Sequence, residues 1–139
     1  MSDIKGLIIK EKWLNRIFAH QKLWEIRSSG TNVRGRIYLI QSGSKMIVGE
    51  CCIVDCIKLN YDIFEQNRHI HTIEKNYNEL TYKNPYAWII DKDSIKKYEK
   101  PIPYEHPSGA IIWVNLEGKC DLKILLDESK KVSYTTTTK

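Results

Sequence analysis

The six residues Lys22-Leu23-Trp24-Glu25-Ile26-Arg27 constrain the fold of this chain more than any other stretch. Trp24 and Ile26 alternate with Glu25 and Arg27, and side chains on a β-strand point to its two faces in turn. A strand here has one apolar face and one face that carries an ion pair. On an outer wall such a pair contributes about 0–1 kcal/mol. Turned toward a mouth or cleft, Lys22, Glu25 and Arg27 instead form a concave, charged recognition site. The question the sequence poses is which face is covered, and by what.

The flanking segments read as a small, mostly antiparallel sheet with helices outside it. Gly6-Leu7-Ile8-Ile9 predicts a first strand. From Glu11 to His20 the apolar residues Trp13, Leu14, Ile17 and Phe18 form one helical stripe that packs on the sheet. Residues 28–32 are a polar turn. Arg34 to Ile40 is the next strand, with Arg34, Arg36 and Tyr38 on one face. Gln41 to Lys45 is a second polar loop, and Met46 to Leu59 is a long apolar strand in which Gly49 permits close backbone approach. Residues 60–85 are a polar excursion with irregular helices expected at 63–68 and 71–80, placed to cap a binding mouth. Tyr86 to Ile90 is a strand, and Ser94 caps a short helical piece to Tyr98. Pro101 and Pro103 confine the next segment to a sheet edge or an extended connection. Ala110 to Leu116 is the last clear strand, and Asp121 to Asp127 is a candidate for one more. The expected organisation is a single domain over 1–128, followed by a flexible tail over 129–139 in which residues 133–139 fray.

Charge is distributed unevenly. Residues 1–50 hold nine Lys or Arg (5, 10, 12, 16, 22, 27, 34, 36, 45) against four acids (3, 11, 25, 50), and residues 51–139 hold thirteen of each. The whole net charge of +5 therefore lies in the segment that contains the charged strand. A one-sided basic patch is the electrostatic footprint of a protein with a polyanionic partner. No apolar run approaches the roughly 20 residues of a membrane span, which argues against a membrane partner. The Met-Ser-Asp start carries no secretory h-region, and Cys51, Cys52 and Cys56 crowd together with only Cys120 elsewhere, unlike a secreted disulfide framework. Cytoplasm is the expected compartment. The Cys and His residues form no paired CxxC or CxxH spacing, so no metal and no cofactor is expected. His69 and His71 read as part of a solvated loop.

Lys22-x-x-Glu25-x-Arg27 resembles the core of the GxKxxExR signature of ASCH domains. The resemblance extends over Arg34-Gly35-Arg36, Gln41-Ser42-Gly43, Val48-Gly49-Glu50, Tyr86-Ala87-Trp88 and His106-Pro107-Ser108-Gly109, roughly residues 4 to 117. One position departs from it: His20 stands where the signature has Gly, at a helix exit that favours positive φ. His enters that region more readily than most residues. The resemblance implies an α+β, mostly β fold, a small PUA-like β-barrel of five to seven strands with two or three flanking helices. It also implies binding of RNA, other single-stranded nucleic acid, or a nucleotide or nucleoside at the barrel mouth. In that reading Lys22, Arg27, Arg34, Arg36 and Lys45 meet phosphate or sugar, while Glu25, Ser42 and an aromatic, Tyr38 or Trp88, read a base. The competing class is a ribonuclease or modified-nucleoside hydrolase that uses Lys22, Glu25 and Arg27 as acid–base groups. Some relatives resemble amidohydrolases with a Thr nucleophile two residues before the motif Arg. Here that position is Glu25, and a carboxylate is a poor nucleophile toward an amide.

Overall fold

A computed structural model describes residues 4–131; the predicted frayed segment 133–139 lies outside them. Seven strands run in chain order: β1 (Lys5–Ile9), β2 (Trp24–Arg27), β3 (Gly35–Gln41), β4 (Met46–Lys58), β5 (Tyr86–Ile90), β6 (Lys96–Pro103) and β7 (Trp113–Asn115). Four helices accompany them: α1 (Glu11–Phe18), α2 (Tyr61–Gln66), α3 (Arg68–His71) and α4 (Leu122–Lys130), with short 3₁₀ turns at Tyr77–Glu79 and Lys92–Ser94. The strands form one sheet ordered β2-β5-β4-β3-β1-β7, with β6 pairing on β4. Among the described residues only the β1–β3 ladder is parallel.

The backbone ladders leave β2 and β7 at opposite ends, so they do not close the sheet on itself. Side chains bridge the opening. Three strands separate β2 from β1 in the sheet, a distance of about 19 Å in a flat sheet at roughly 4.8 Å per strand. Nevertheless Arg27 of β2 donates from Nη2 to the carbonyl of Ile8 on β1 at 2.8 Å. The sheet must therefore curl until one arginine spans from its β2 edge to β1. Trp88 of β5 stacks on Trp113 of β7 at 5.6 Å between ring centroids and 11° between planes, a second side-chain contact across the same curl, between the neighbour of β2 and the strand paired with β1. The curl is taken up in β4, whose ladders to β5 and β6 each shift register, as bulged barrel corners do.

Both faces of the sheet are covered. Ile37 and Leu39 of β3 join the main core with Leu7, Ile9, Leu14, Ile17, Cys51 and Trp88. The alternate residues Tyr38 and Ile40 join a second core with Ile47, Tyr98, Ile102, Val114 and Leu125. A third cluster holds Trp24 and Ile26 against Leu59, Phe64 and Ala87.

Several local expectations change. Asp121 does not start a strand. Its side chain accepts from the amides of Lys123 and Ile124, an N-cap that starts α4, and Leu125 of that helix buries in the second core. The boundary drawn at 128 thus falls inside a helix, and four helices replace the expected two or three. The piece from Ser94 to Tyr98 is helical only to Ser94 and then enters β6. β6 pairs with β4 alone, in keeping with its two prolines. His71 belongs to α3, not to a solvated loop, and is fully buried. His20 keeps the left-handed geometry of the motif position with φ of 61°.

Gly49 is required by close approach. A Cβ there would overlap the Lys96 carbonyl oxygen and sit 2.6 Å from the Phe18 ring. Gly49→Ala should cost about 2–3 kcal/mol and lower the melting temperature by on the order of 10 °C, measured by thermal denaturation. An unchanged melting temperature would contradict the packing of α1 against the β4–β6 corner.

Candidate ligand-binding site

The apolar face of β2 is the outward one. Trp24 and Ile26 pack on Leu59 and Phe64, where the polar excursion begins. Glu25 lies opposite Trp88 in the β2–β5 ladder, and directly paired residues share a face. Since Trp88 belongs to the main core, Glu25 and Arg27 project toward the inside of the curled sheet. There they line a cavity of about 370 Å³ together with Lys22, Trp13 and Ser42.

In this cavity Glu25 is the shared acceptor. Arg27 Nε donates to Glu25 Oε2 at 2.8 Å, while Lys22 Nζ stands 3.9 Å from Oε1. Lys22 Nζ also donates to the His71 carbonyl at 2.7 Å and lies 4.6 Å from the Trp13 ring centroid, within cation–π range. The side chains of Lys22 and Glu25 are 1% and 6% exposed, and Arg27 is 16% exposed. A buried ion pair is stable only when its remaining polar atoms are hydrogen-bonded, and the His71 and Ile8 carbonyls meet that need for the two cations. Burial is the leading influence on Lys22 and pulls its ammonium down from 10.5 to about 8, with the Glu25 carboxylate opposing the shift.

The excursion supplies one wall. Ile73, Glu74, Lys75, Leu80, Thr81 and Tyr82 border the cavity. The segment is docked by cations that donate to its backbone: Lys22 to His71, and Arg16 Nη1 to Thr72 O at 2.6 Å. Arg16 and Lys12 also reach the Glu74 carboxylate at 2.5 and 3.3 Å and hold it low, at about 2. His71 accepts the Ile73 amide on Nδ1 at 3.0 Å. Its Nε2–H therefore donates to the Phe64 carbonyl at 2.8 Å, which fixes the neutral tautomer, and burial keeps its basicity below that of an ordinary imidazole.

The other residues singled out in the sequence are distributed elsewhere. Arg34, Arg36 and Tyr38 border a separate hollow of about 550 Å³ near Ile4, Lys5, Asn32 and Val33. Arg36 Nε is paired at 3.1 Å with the buried Glu50 carboxylate, which also accepts the Tyr98 hydroxyl at 2.7 Å. Lys45 is exposed in a turn with φ of 58° and borders neither space. Trp88 is 2% exposed, with its indole N–H bonded to the Ser29 carbonyl at 2.9 Å and Arg27 over its ring. It has no free face for a base. Residues the sequence did not mark at this cavity are Lys10, Lys12, Trp13, Glu74, Lys75, Tyr82 and Ile111. Trp13 read as plain core because its helical spacing is apolar; in the fold its ring meets three cations, Lys12, Arg16 and Lys22. Among the described residues no group of three His, Cys, Asp or Glu side chains is placed to hold a metal ion, and no helix is long and apolar enough to cross a membrane.

The depressed Lys22 has a defined effect on stability. Below pH 8 the folded and unfolded chains both carry its proton, so the burial penalty is fully present. Between pH 8 and 10.5 the folded chain loses the proton and the unfolded chain keeps it, so the penalty is relieved. The stability difference between wild type and Lys22→Met should shift toward wild type by about 3 kcal/mol across that window, measured by denaturant unfolding. A pH-independent difference would contradict the burial of a charged amine.

The family model for the ASCH domain matches residues 7–107, which include all three charged residues of the cavity motif. Comparison with curated proteins gives no match. In fold the chain is similar to crystal structures of ASCH from Zymomonas mobilis. A serine-to-alanine variant has a TM-score of 0.65 at 13% identity, covering 90% of this chain and 95% of that one. A tyrosine-to-phenylalanine variant has a TM-score of 0.64 at 12% identity, covering 91% and 98%. A further structure of that ASCH has a TM-score of 0.53 at 12% identity, covering 72% and 71%. Identity at this level speaks for the fold. The match over 7–107, from β1 through the turn after β6, shows that the chain belongs to the ASCH-domain family.

Proposed function

We propose that this chain binds single-stranded RNA or a nucleotide by taking one base into the cavity bordered by Lys22, Glu25 and Arg27. Domains of this family are generally thought to bind RNA. The observation that carries the reading is the placement of Glu25, nearly buried and fixed by two cations, on a cavity wall. A fixed carboxylate accepts from an exocyclic amino group, and the adjacent ammonium donates to a ring nitrogen or carbonyl. Trp13, Ile8 and Leu80 give the base apolar walls, and the exposed Lys10, Lys12 and Lys75 lie at the mouth, where sugar and phosphate would stay. A volume of about 370 Å³ is near the low end of small-ligand pockets, roughly 300–1,000 Å³, and suits one unstacked nucleotide better than a duplex. Arg34, Arg36 and Lys45 contribute positive field in this reading and no contact inside the cavity.

A second reading has one observation in its favour. An amine brought down to about 8 beside a carboxylate is near the range useful for proton transfer, so Lys22 and Glu25 could move protons at a phosphodiester. RNA incubated with the protein and a chelator would be cleaved in that case, and Glu25→Gln would abolish cleavage; intact RNA that still binds supports the binding module.

For the binding reading, Glu25→Gln should weaken the best-bound mononucleotide by tenfold or more in calorimetry, while Lys123→Ala on the distant α4 should leave it unchanged. Lys22 is protonated below about pH 8, and a charged donor bonds more strongly than a neutral one, so affinity should fall as pH rises through 8. Equal affinity for wild type and Glu25→Gln, flat with pH, would contradict a base seated at this carboxylate.

A further inference from the structure

Two large apolar side chains at the cavity mouth are not used by the fold. Ile111, in the turn before β7, is 78% exposed, and Tyr82, at the end of the excursion, is 37% exposed; both border the cavity. Their neighbours behave differently. Ile73 and Leu80 of the same wall pack on the Trp24–Phe64 cluster, and Ala110 packs on the second core, while Ile111 and Tyr82 belong to none of the three cores. Single exposed apolar residues are ordinary on a protein surface. Here two of them, from chain segments about thirty residues apart, border one cavity that is also bordered by exposed Lys10, Lys12 and Lys75. Apolar surface beside exposed cations suits a ligand that is flat and greasy on its faces and anionic along its backbone, which describes a nucleic-acid strand.

Resting on the proposal that a base enters the cavity, we infer that Ile111 and Tyr82 form a platform for the adjacent base of the same strand. The site therefore selects a short single-stranded RNA segment over a free nucleotide. The cavity has room for one nucleotide-sized group, so a second base has to lie at the rim, and the rim offers an aromatic ring and a β-branched aliphatic surface where it would lie. The aromatic supplies stacking that tolerates any base, so the gain is set by strand length more than by the identity of the flanking base.

The test compares the four 5′-mononucleotides with the four homotrinucleotides of RNA by calorimetry, on wild type, on the double variant Ile111→Ser/Tyr82→Ala, and on Tyr82→Phe. The best trinucleotide should bind wild type about tenfold or more tighter than its mononucleotide. The ratio of trinucleotide to mononucleotide affinity, taken on each protein separately, should fall to near one in the double variant, and Tyr82→Phe, which retains the ring, should keep the wild-type ratio. A gain that survives in the double variant comes from extra phosphates and overturns the platform. So does a wild type that binds both lengths equally, an outcome that leaves the cavity reading standing. If wild type binds neither, the cavity reading and the platform fall together. Both positions are exposed, so unchanged melting curves for the variants accompany the expected result.

Discussion

The guanidinium of Arg27 holds the fold and the site together. Its Nε bonds Glu25 and its Nη2 bonds the Ile8 carbonyl, so one planar group fixes the carboxylate and draws β2 onto β1. The backbone ladders alone leave the sheet open. Arginine suits the task because its rigid fork can satisfy two acceptors at once and its weakly hydrated charge tolerates partial burial; lysine offers no such fork. The Trp88 ring beneath it, stacked on Trp113 and anchored to Ser29, keeps the fork in place. An aromatic that the sequence offers to a ligand is therefore spent on closing the wall.

The second dependence is the docking of the excursion. Residues 71–82 are held from two sides: Ile73, Tyr77 and Leu80 pack on the Trp24–Phe64 cluster, and cations meet backbone carbonyls, Lys22 at His71 and Arg16 at Thr72. Lys22 is thus a member of the site and a strut beneath its wall. Burying its ammonium costs stability, and the cost is offset by the carbonyl, by Glu25 and by the Trp13 face. The neutral, buried His71 completes the support: its ring stacks on Phe64 at 4.1 Å and its two nitrogens satisfy one amide and one carbonyl.

Much of this was legible in the sequence where side chains follow a period. The alternation in Trp24–Arg27 gave a strand with two unlike faces, the stripe in Glu11–Phe18 gave α1, and Pro101 with Pro103 confined β6 to one partner. The direction of β2 was not legible, because both of its faces are covered and only the Glu25–Trp88 pairing across the ladder decides which one looks inward. Arg34, Arg36 and Tyr38 border a different hollow: Tyr38 packs in the second core, on the face of the sheet opposite the one that Glu25 shares with Trp88. Asp121 to Asp127 stood as a candidate strand; the capping bonds of Asp121 and the burial of Leu125 select a helix instead. Lys10, Lys12, Tyr82 and Ile111 carry no motif, and only tertiary approach assembles them at one opening.

The measurement that bears most directly on this account is a crystal structure with a bound RNA trinucleotide. The account predicts one unstacked base between Trp13 and the excursion wall, with a polar edge at hydrogen-bonding distance from the Glu25 carboxylate and Arg27 still bridging to Ile8. A trinucleotide lying on the Arg34–Arg36 surface, with the Glu25 cavity filled only by solvent, would contradict it.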